Sequence, residues 1–319
     1  MGWVKNGTPE LDAASNWQVI VAVTIVCTTF MILVLALRIG VRAFIIKATG
    51  ADDWSLWLAA VRIPRVEYGV YANDTLEQAC AIASCALNIT QTQLGLGLPV
   101  RLRPQVNLDE YTLHNFVNRP MYVMASTCYK ISLCASYMRI MAKSGHRSYR
   151  FAVWATIALA IGYGISFLAA ILFACNPVEK SWRPRIPGTC FPPAPFYYGT
   201  TTTNLLVDVI VLVLPIPLLW RLQMNRRRKF GLILCFALGA FTTVGAVMRL
   251  VSVDKVVRLA DPDEFVMWST VEINLGVSIF RQNKAQYLTA CFADHYRLDS
   301  RTVTPPEEGA SCHHGWFYE

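Results

Sequence analysis

Charge is scarce in this sequence. Aspartate, glutamate, lysine and arginine together make up 16% of 319 residues, against about 25% in soluble domains. That shortage excludes a pair of ordinary soluble domains, which this length would otherwise suggest. Catalytic signatures are missing as well. No P-loop, dinucleotide fingerprint or nucleophile–base pair is legible, so no enzyme activity and no cofactor are expected. Cys291, His295, Cys312, His313 and His314 do not form tight ligand pairs at both ends, which argues against a zinc site. The net charge of +8 sits in short loops between apolar blocks. This pattern orients a membrane protein and does not suggest nucleic-acid binding.

Apolar residues are plentiful: 54% of the chain, with a mean hydropathy of +0.37. They fall in blocks of about 20, the length that crosses a bilayer as a helix. The first 16 residues are mixed polar, and the apolar run Trp17 to Ile39 is too long for the core of a cleavable signal peptide. The reading is a multi-pass protein whose first partner is the lipid bilayer of the plasma membrane or an endomembrane.

The stretch Tyr197 to Trp220 fixes the direction of the chain. It is uninterrupted but for Asp208 and closes on Trp220, Arg221 and the block Arg226, Arg227, Arg228 and Lys229. An aromatic anchor followed by basic residues marks a cytoplasmic end. Other spans are expected at about Trp17 to Ile39, Pro120 to Met141, Phe151 to Cys175, Phe230 to Val251 and Glu264 to Phe280. The loops after the first, third and fifth spans hold twelve lysines and arginines, while Asp109, Glu110, Asp254, Asp261, Asp263 and Glu264 lie opposite. The expected fold is an all-α, seven-span bundle, N-terminus outside and C-terminus inside.

The second span is the irregular one. Residues 51–60 begin it, and 79–98 resume it. Residues 61–78 between them carry five charges and a proline, too many to face lipid. The expected organisation is an outer N-terminus at 1–16, a membrane domain at 17–280 with an atypical insertion at 61–78, and a disordered cytosolic tail at 281–319.

Most cysteines, among them Cys27, Cys85, Cys128, Cys134 and Cys235, lie inside apolar runs. Only Cys175 and Cys190 bracket a polar loop, making them the expected disulfide. Gly162 and Ser166 form a small-xxx-small pair, read as internal helix packing. The sequons at Asn6, Asn73 and Asn88 are poor glycan acceptors, since Asn88 falls in a span and Asn6 lies close to the membrane.

With the spans in place, a set of short motifs stands out: Ala51-Asp52-Asp53-Trp54, Leu94-Gly95-Leu96-Gly97, Tyr129-Lys130-Ile131-Ser132 and Tyr137-Met138-Arg139-Ile140. Further along come Cys175-Asn176-Pro177, Trp182, Gly188-Thr189-Cys190, Asn204, Asp208 and Leu214-Pro215-Ile216-Pro217, then Lys229, Gly239, Arg249-Leu250, Trp268 and Glu272. In order and spacing the chain resembles the fungal rhodopsin-domain integral membrane proteins. That group includes receptor-like proteins of plant-pathogenic fungi and membrane proteins of mycotoxin gene clusters such as the satratoxin cluster. The resemblance implies either receptor-like sensing of an outer small-molecule ligand, relayed to a cytosolic partner at the basic inner loops, or an accessory role in secondary metabolism, handling or moving an apolar product. A retinal Schiff base needs a lysine in the last span, and 264–280 has none. The rhodopsin likeness therefore concerns topology.

Lys130, Asp208 and Glu272 fall at similar depths, roughly 12–16 Å from the outer ends of their spans, with Asn204 one turn above Asp208. They are the candidate intramembrane polar site. One reading is a ligand or ion site, and the other is mutual neutralisation that fixes helix packing. Asp52, Asp53 and Arg249 are expected at the membrane edge, with Arg249 snorkelling outward.

Overall fold

The computed structural model describes residues 2–40, 65–141, 147–216, 226–259 and 261–278. Helix α1 is Pro9–Ala14, α2 Trp17–Gly40, α3 Arg65–Leu94, α4 Leu108–Met141, α5 Arg147–Leu172, α6 Pro193–Val213 and α7 Arg226–Leu259. Helix α8 covers 263–278. A two-residue hairpin, β1 Cys175–Asn176 with β2 Thr189–Cys190, pairs antiparallel between α5 and α6.

Local sequence explains several boundaries. Asp109 and Glu110 occupy the first turn of α4, where the helix dipole favours negative charge. Helix α6 starts on Pro193, whose fixed φ suits a first turn and whose missing N–H is not needed there. It ends at Val213, just ahead of Pro215 and Pro217, which cannot donate to the helix ladder.

The bundle is apolar outside and polar within. Val26, Leu33 and Leu37 of α2, Phe151 and Ile165 of α5, and Val251 of α7 are exposed. Lys130, Asn204, Glu272, Asn274, Gln91 and Arg249 are buried. Water would favour the reverse, and hydrocarbon favours what is seen. Trp17–Leu37, Arg147–Leu172 and Pro193–Val213 are each long and apolar enough to cross a membrane unaided.

Helix α3 covers most of the expected insertion. Its 30 residues, about 45 Å of helix, run without a break through 65–78 into 79–94. The described part of the presumed insertion is thus continuous with the span. Asn73 donates to the Cys128 carbonyl (3.0 Å) and to Ser132 Oγ (2.7 Å) on α4, and Glu77 is buried. Polar residues are costly facing lipid, but these turn toward the bundle. The Gly162 pair is corrected. A side chain at Gly162 would meet nothing within 4 Å, whereas at Gly164 it would come 2.8 Å from Thr127 Oγ1. Gly164 sets the close approach of α5 to α4.

One end of the bundle is tied tightly. The expected disulfide, Cys175–Cys190, is present. Its loop docks on α4 through Thr112 Oγ1 donating to the Trp182 carbonyl (2.8 Å) and Phe116 packing on Trp182. Trp3 stacks on Trp17 at 4.4 Å, and the Lys5 N–H donates to the Gln93 carbonyl (2.8 Å). Asn6 donates to Asn107, and Asn88 lies in the interior donating to Thr270. Gly97 joins three segments. Its carbonyl accepts from the Asn16 N–H (3.0 Å), and its N–H donates to Asp263 Oδ1 (2.9 Å). With φ +98°, and with Trp17 N and Ser15 Oγ 2.9 Å from any added Cβ, this position requires glycine.

Asp52, Asp53, the zinc candidates and the tail at 281–319 lie outside the described residues, as do Arg42, Lys47, Lys143 and Arg221 of the basic inner loops.

Asp263 sits one residue ahead of the last expected span. Burial, then the neighbouring Asp261 carboxylate, push its carboxyl up to about 6, against the pull of the Gly97 N–H and Arg103. The unfolded carboxyl ionises at about 4. The folded chain therefore retains a proton that the unfolded chain has lost between those values, so stability falls as pH rises through that window and is level above it. Asp263→Asn, which can still accept from Gly97, is expected to remove this fall. Thermal unfolding of the detergent-purified protein from pH 4 to pH 7 measures it, and an unchanged pH profile would refute the assignment.

Candidate functional site

The interior face of α4 presents Tyr122, Ser126, Tyr129 and Lys130. Spacings of four and seven residues put the first three on one stripe, with Lys130 beside it. Asn204 and Asp208, one turn apart on α6, face that stripe. Arg249 comes from α7, Glu272 from α8 and Tyr163 from α5. Gly276, one turn beyond Glu272, leaves room for the Tyr129 ring, which an added Cβ would approach to 3.0 Å.

The Asn204 amide is the hub. Its Oδ1 accepts from Lys130 Nζ (2.5 Å) and Ser126 Oγ (3.1 Å), and its Nδ2 donates to Asp208 Oδ2 (3.1 Å) and Glu272 Oε1 (2.8 Å). Both donors and both acceptor positions of the amide are filled. The partners dictate its orientation: the ammonium requires the oxygen, and the two carboxylates require the NH2. Around the hub, Lys130 pairs with Asp208 (3.1 Å) and Arg249 with Glu272 (3.3 Å). Tyr129 donates to Asp208 Oδ1 (3.0 Å) and Tyr122 to Glu272 Oε1 (2.8 Å). Aromatic faces flank both cations. Lys130 lies 5.6 Å from Tyr129 and 5.5 Å from Tyr163, and Arg249 lies 4.7 Å from Tyr122 and 5.6 Å from Phe265. Such contacts gain strength when desolvated.

Lys130, Asn204 and Glu272 are 0% exposed, Arg249 2% and Asp208 6%. Two cations and two carboxylates cancel, which is what makes their burial tolerable. The structure thus brings together Lys130, Asn204, Asp208 and Glu272. It also corrects Arg249, which does not snorkel outward. The expected sixth span ends at Val251, ahead of Asp254, Lys255 and Arg258. The helix continues to Leu259, carried by an Arg258–Asp254 pair (2.6 Å) one turn apart. Arg249 therefore lies ten residues, about 15 Å, inside that helix end, level with Glu272. Tyr122, Ser126, Tyr129 and Tyr163 were also missed. The four- and seven-residue spacing on α4, counted back from the Lys130 region, was the available signal for the first three.

Toward the disulfide-bonded end, the cluster opens into a cavity of about 100 Å³. Tyr122 and Arg249 line both cavity and cluster. One wall is a relay in which Ser84 donates to Asn118 (2.7 Å), Asn118 to Asn88 (2.7 Å) and Asn88 to Thr270 (2.9 Å), linking α3, α4 and α8. On another, Arg119 donates to Tyr197 Oη (2.7 Å), and Tyr197 meets Phe265 edge-on at 5.6 Å.

A helical bundle with an apolar exterior and a charge-balanced polar interior defines an integral, multi-pass membrane protein. Residues 37–280 match the family model of the fungal rhodopsin domain, and the chain belongs to that family. Among curated relatives, a SAT4 family membrane protein of Emericella nidulans is 33% identical over 38% of this chain and 32% of its own. Satratoxin biosynthesis SC1 cluster protein 4 of Stachybotrys chartarum is 28% identical over 49% of this chain and 58% of its own. Receptor GIN3 of Arthrobotrys oligospora is 25% identical over 49% of this chain and 38% of its own. The matched segments span about a third to just over half of these relatives' lengths. No solved structure matches the chain significantly.

Lys130→Met and Asp208→Asn are each expected to cost about 3–5 kcal/mol, because each strands a buried charge. The double variant should cost less than the sum, since the stranded charge disappears. Thermal unfolding of the four purified forms measures the coupling, and strict additivity would mean that the two residues do not share a network.

Proposed function

We propose that this chain is a receptor-like, seven-span membrane protein, N-terminus outside, that senses a ligand in the cavity and does not absorb light. The single observation that carries this reading is that Tyr122 and Arg249, which line the cavity, are two of the three side chains that hold Glu272, with Asn204 the third. A ligand touching either one perturbs Glu272, and through Asn204 the Lys130–Asp208 pair. That pair lies between α4 and α6, whose far ends lead to the basic inner loops, where a cytosolic partner and the 281–319 tail are placed in this reading. Light absorption through a Schiff base has no support, since Lys130 is engaged by Asp208 and Asn204 and the last span carries no lysine. The receptor name of one relative agrees with sensing.

The satratoxin relative's name favours the second reading, an accessory membrane protein of a secondary-metabolite pathway. An apolar product would leave Gln91 Nε2, Thr201 Oγ1 and Arg249 Nε, all on the cavity lining, without partners. These three unpaired donors support sensing of an oxygen-bearing ligand over handling of a hydrocarbon-like one.

Two measurements test the proposal. Epitope tags at residue 146 and at the C-terminus should both be cytosolic, and tags on opposite faces would refute the seven-span topology. Purified protein in nanodiscs should gain thermal stability with some fraction of extracellular metabolite extract. Ser269→Trp, which fills the cavity, should abolish that gain while reaching the membrane normally. A gain that survives in Ser269→Trp would place the ligand elsewhere.

A further inference from the structure

The donors and acceptors of the cavity do not balance. Gln91, Thr201 and Arg249 are each no more than 2% exposed and line it. Each carries a polar atom without a hydrogen-bond partner among the described residues: Gln91 Nε2, Thr201 Oγ1 and Arg249 Nε. All three atoms donate, and only the threonine hydroxyl can also accept. Buried donors are seldom left unpaired in folded proteins, so an unmet need clustered in one cavity describes the group that fills it. That group is an acceptor.

Charge narrows the class. Arg119 and Arg249 line the cavity, and no aspartate or glutamate among the described residues does. Glu272 neutralises Arg249 from the cluster side. Arg119 donates to the Tyr197 hydroxyl and has no carboxylate partner among the described residues. Guanidinium groups bind carboxylates through a planar fork of N–H donors. The remaining wall near Arg119 is aromatic: Phe196, Tyr197 and Phe265.

We propose that the cavity binds a small organic acid, with its carboxylate held by Arg119 and the unpaired donors and its unsaturated body against Phe196, Tyr197 and Phe265. This rests on the cavity being the ligand site. An acid placed there adds negative charge beside Arg249 and competes with Glu272 for the guanidinium. Binding would thereby loosen the pair that joins α7 to α8.

The test uses the full chain in nanodiscs of zwitterionic lipid, with trans-cinnamate, phenylbutyrate and naphthoate as probes, each beside its methyl ester. Ester and acid share a body, so membrane partitioning and aromatic contacts act on both. Saturable thermal stabilisation by at least one acid is expected, with its ester weaker by roughly tenfold to a hundredfold, the value of a charge-assisted hydrogen bond. Arg119→Gln should remove that preference, and Arg119→Lys should restore part of it. Acids and esters binding alike would overturn the acid class and leave the cavity as a ligand site. Failure of every acid in wild-type protein would also overturn the proposal, with water filling the donors. The extract experiment with Ser269→Trp would then decide separately whether the cavity takes a ligand at all.

Discussion

One amide holds the centre of this molecule. Asn204 accepts from an ammonium and a hydroxyl on α4, and donates to carboxylates on α6 and α8. Without it, the Lys130–Asp208 and Arg249–Glu272 pairs would be separate islands of charge, each poorly satisfied in a medium without water. Through it they form one neutral unit joining four helices. A buried polar network is costly when partly satisfied and rigid when complete. Around Asn204 it is complete at every polar position of the amide.

The solvent makes that centre necessary. Hydrocarbon outside offers no hydrophobic gain for apolar helices that associate, so packing and interior hydrogen bonds carry the specificity. Tight backbone approach at Gly164 and Gly276 and the polar layer between them act together, since the glycine opposite Tyr129 is what lets its hydroxyl reach Asp208. The cavity lies between this layer and the disulfide-bonded end of the bundle. Its floor is the cluster itself. The cavity and the helix-pairing cluster thus share side chains, so the coupling proposed above requires no long pathway.

The disulfide-bonded end is braced by a different kind of contact. There the backbone groups of Lys5, Asn16, Gly97 and Trp182 bridge segments far apart in sequence. The N-terminal segment, the turn after α3 and the hairpin all take part. Bracing this rim holds the mouth of the cavity in shape.

Depth was legible from the sequence alone, because a helix rises by a constant amount per residue. Counting residues from span ends put Lys130, Asp208 and Glu272 at one level and Asn204 a turn above. Cysteine placement gave the Cys175–Cys190 bond for a similar reason, the redox and polarity of a single loop. Direction around each helix was not legible, since it depends on which helices become neighbours. That is why Glu77, within the charged stretch at 61–78, read as part of a break in the span, when it and Asn73 turn into the bundle. It is also why Arg249 read as an edge residue. Its depth depended on a helix continuing through Asp254 and Arg258, and its partner on α8 lying beside α7. The cavity, with its excess of donors, belongs wholly to the tertiary structure. Sequence fixes how far a side chain lies along its helix, and only packing decides what it faces.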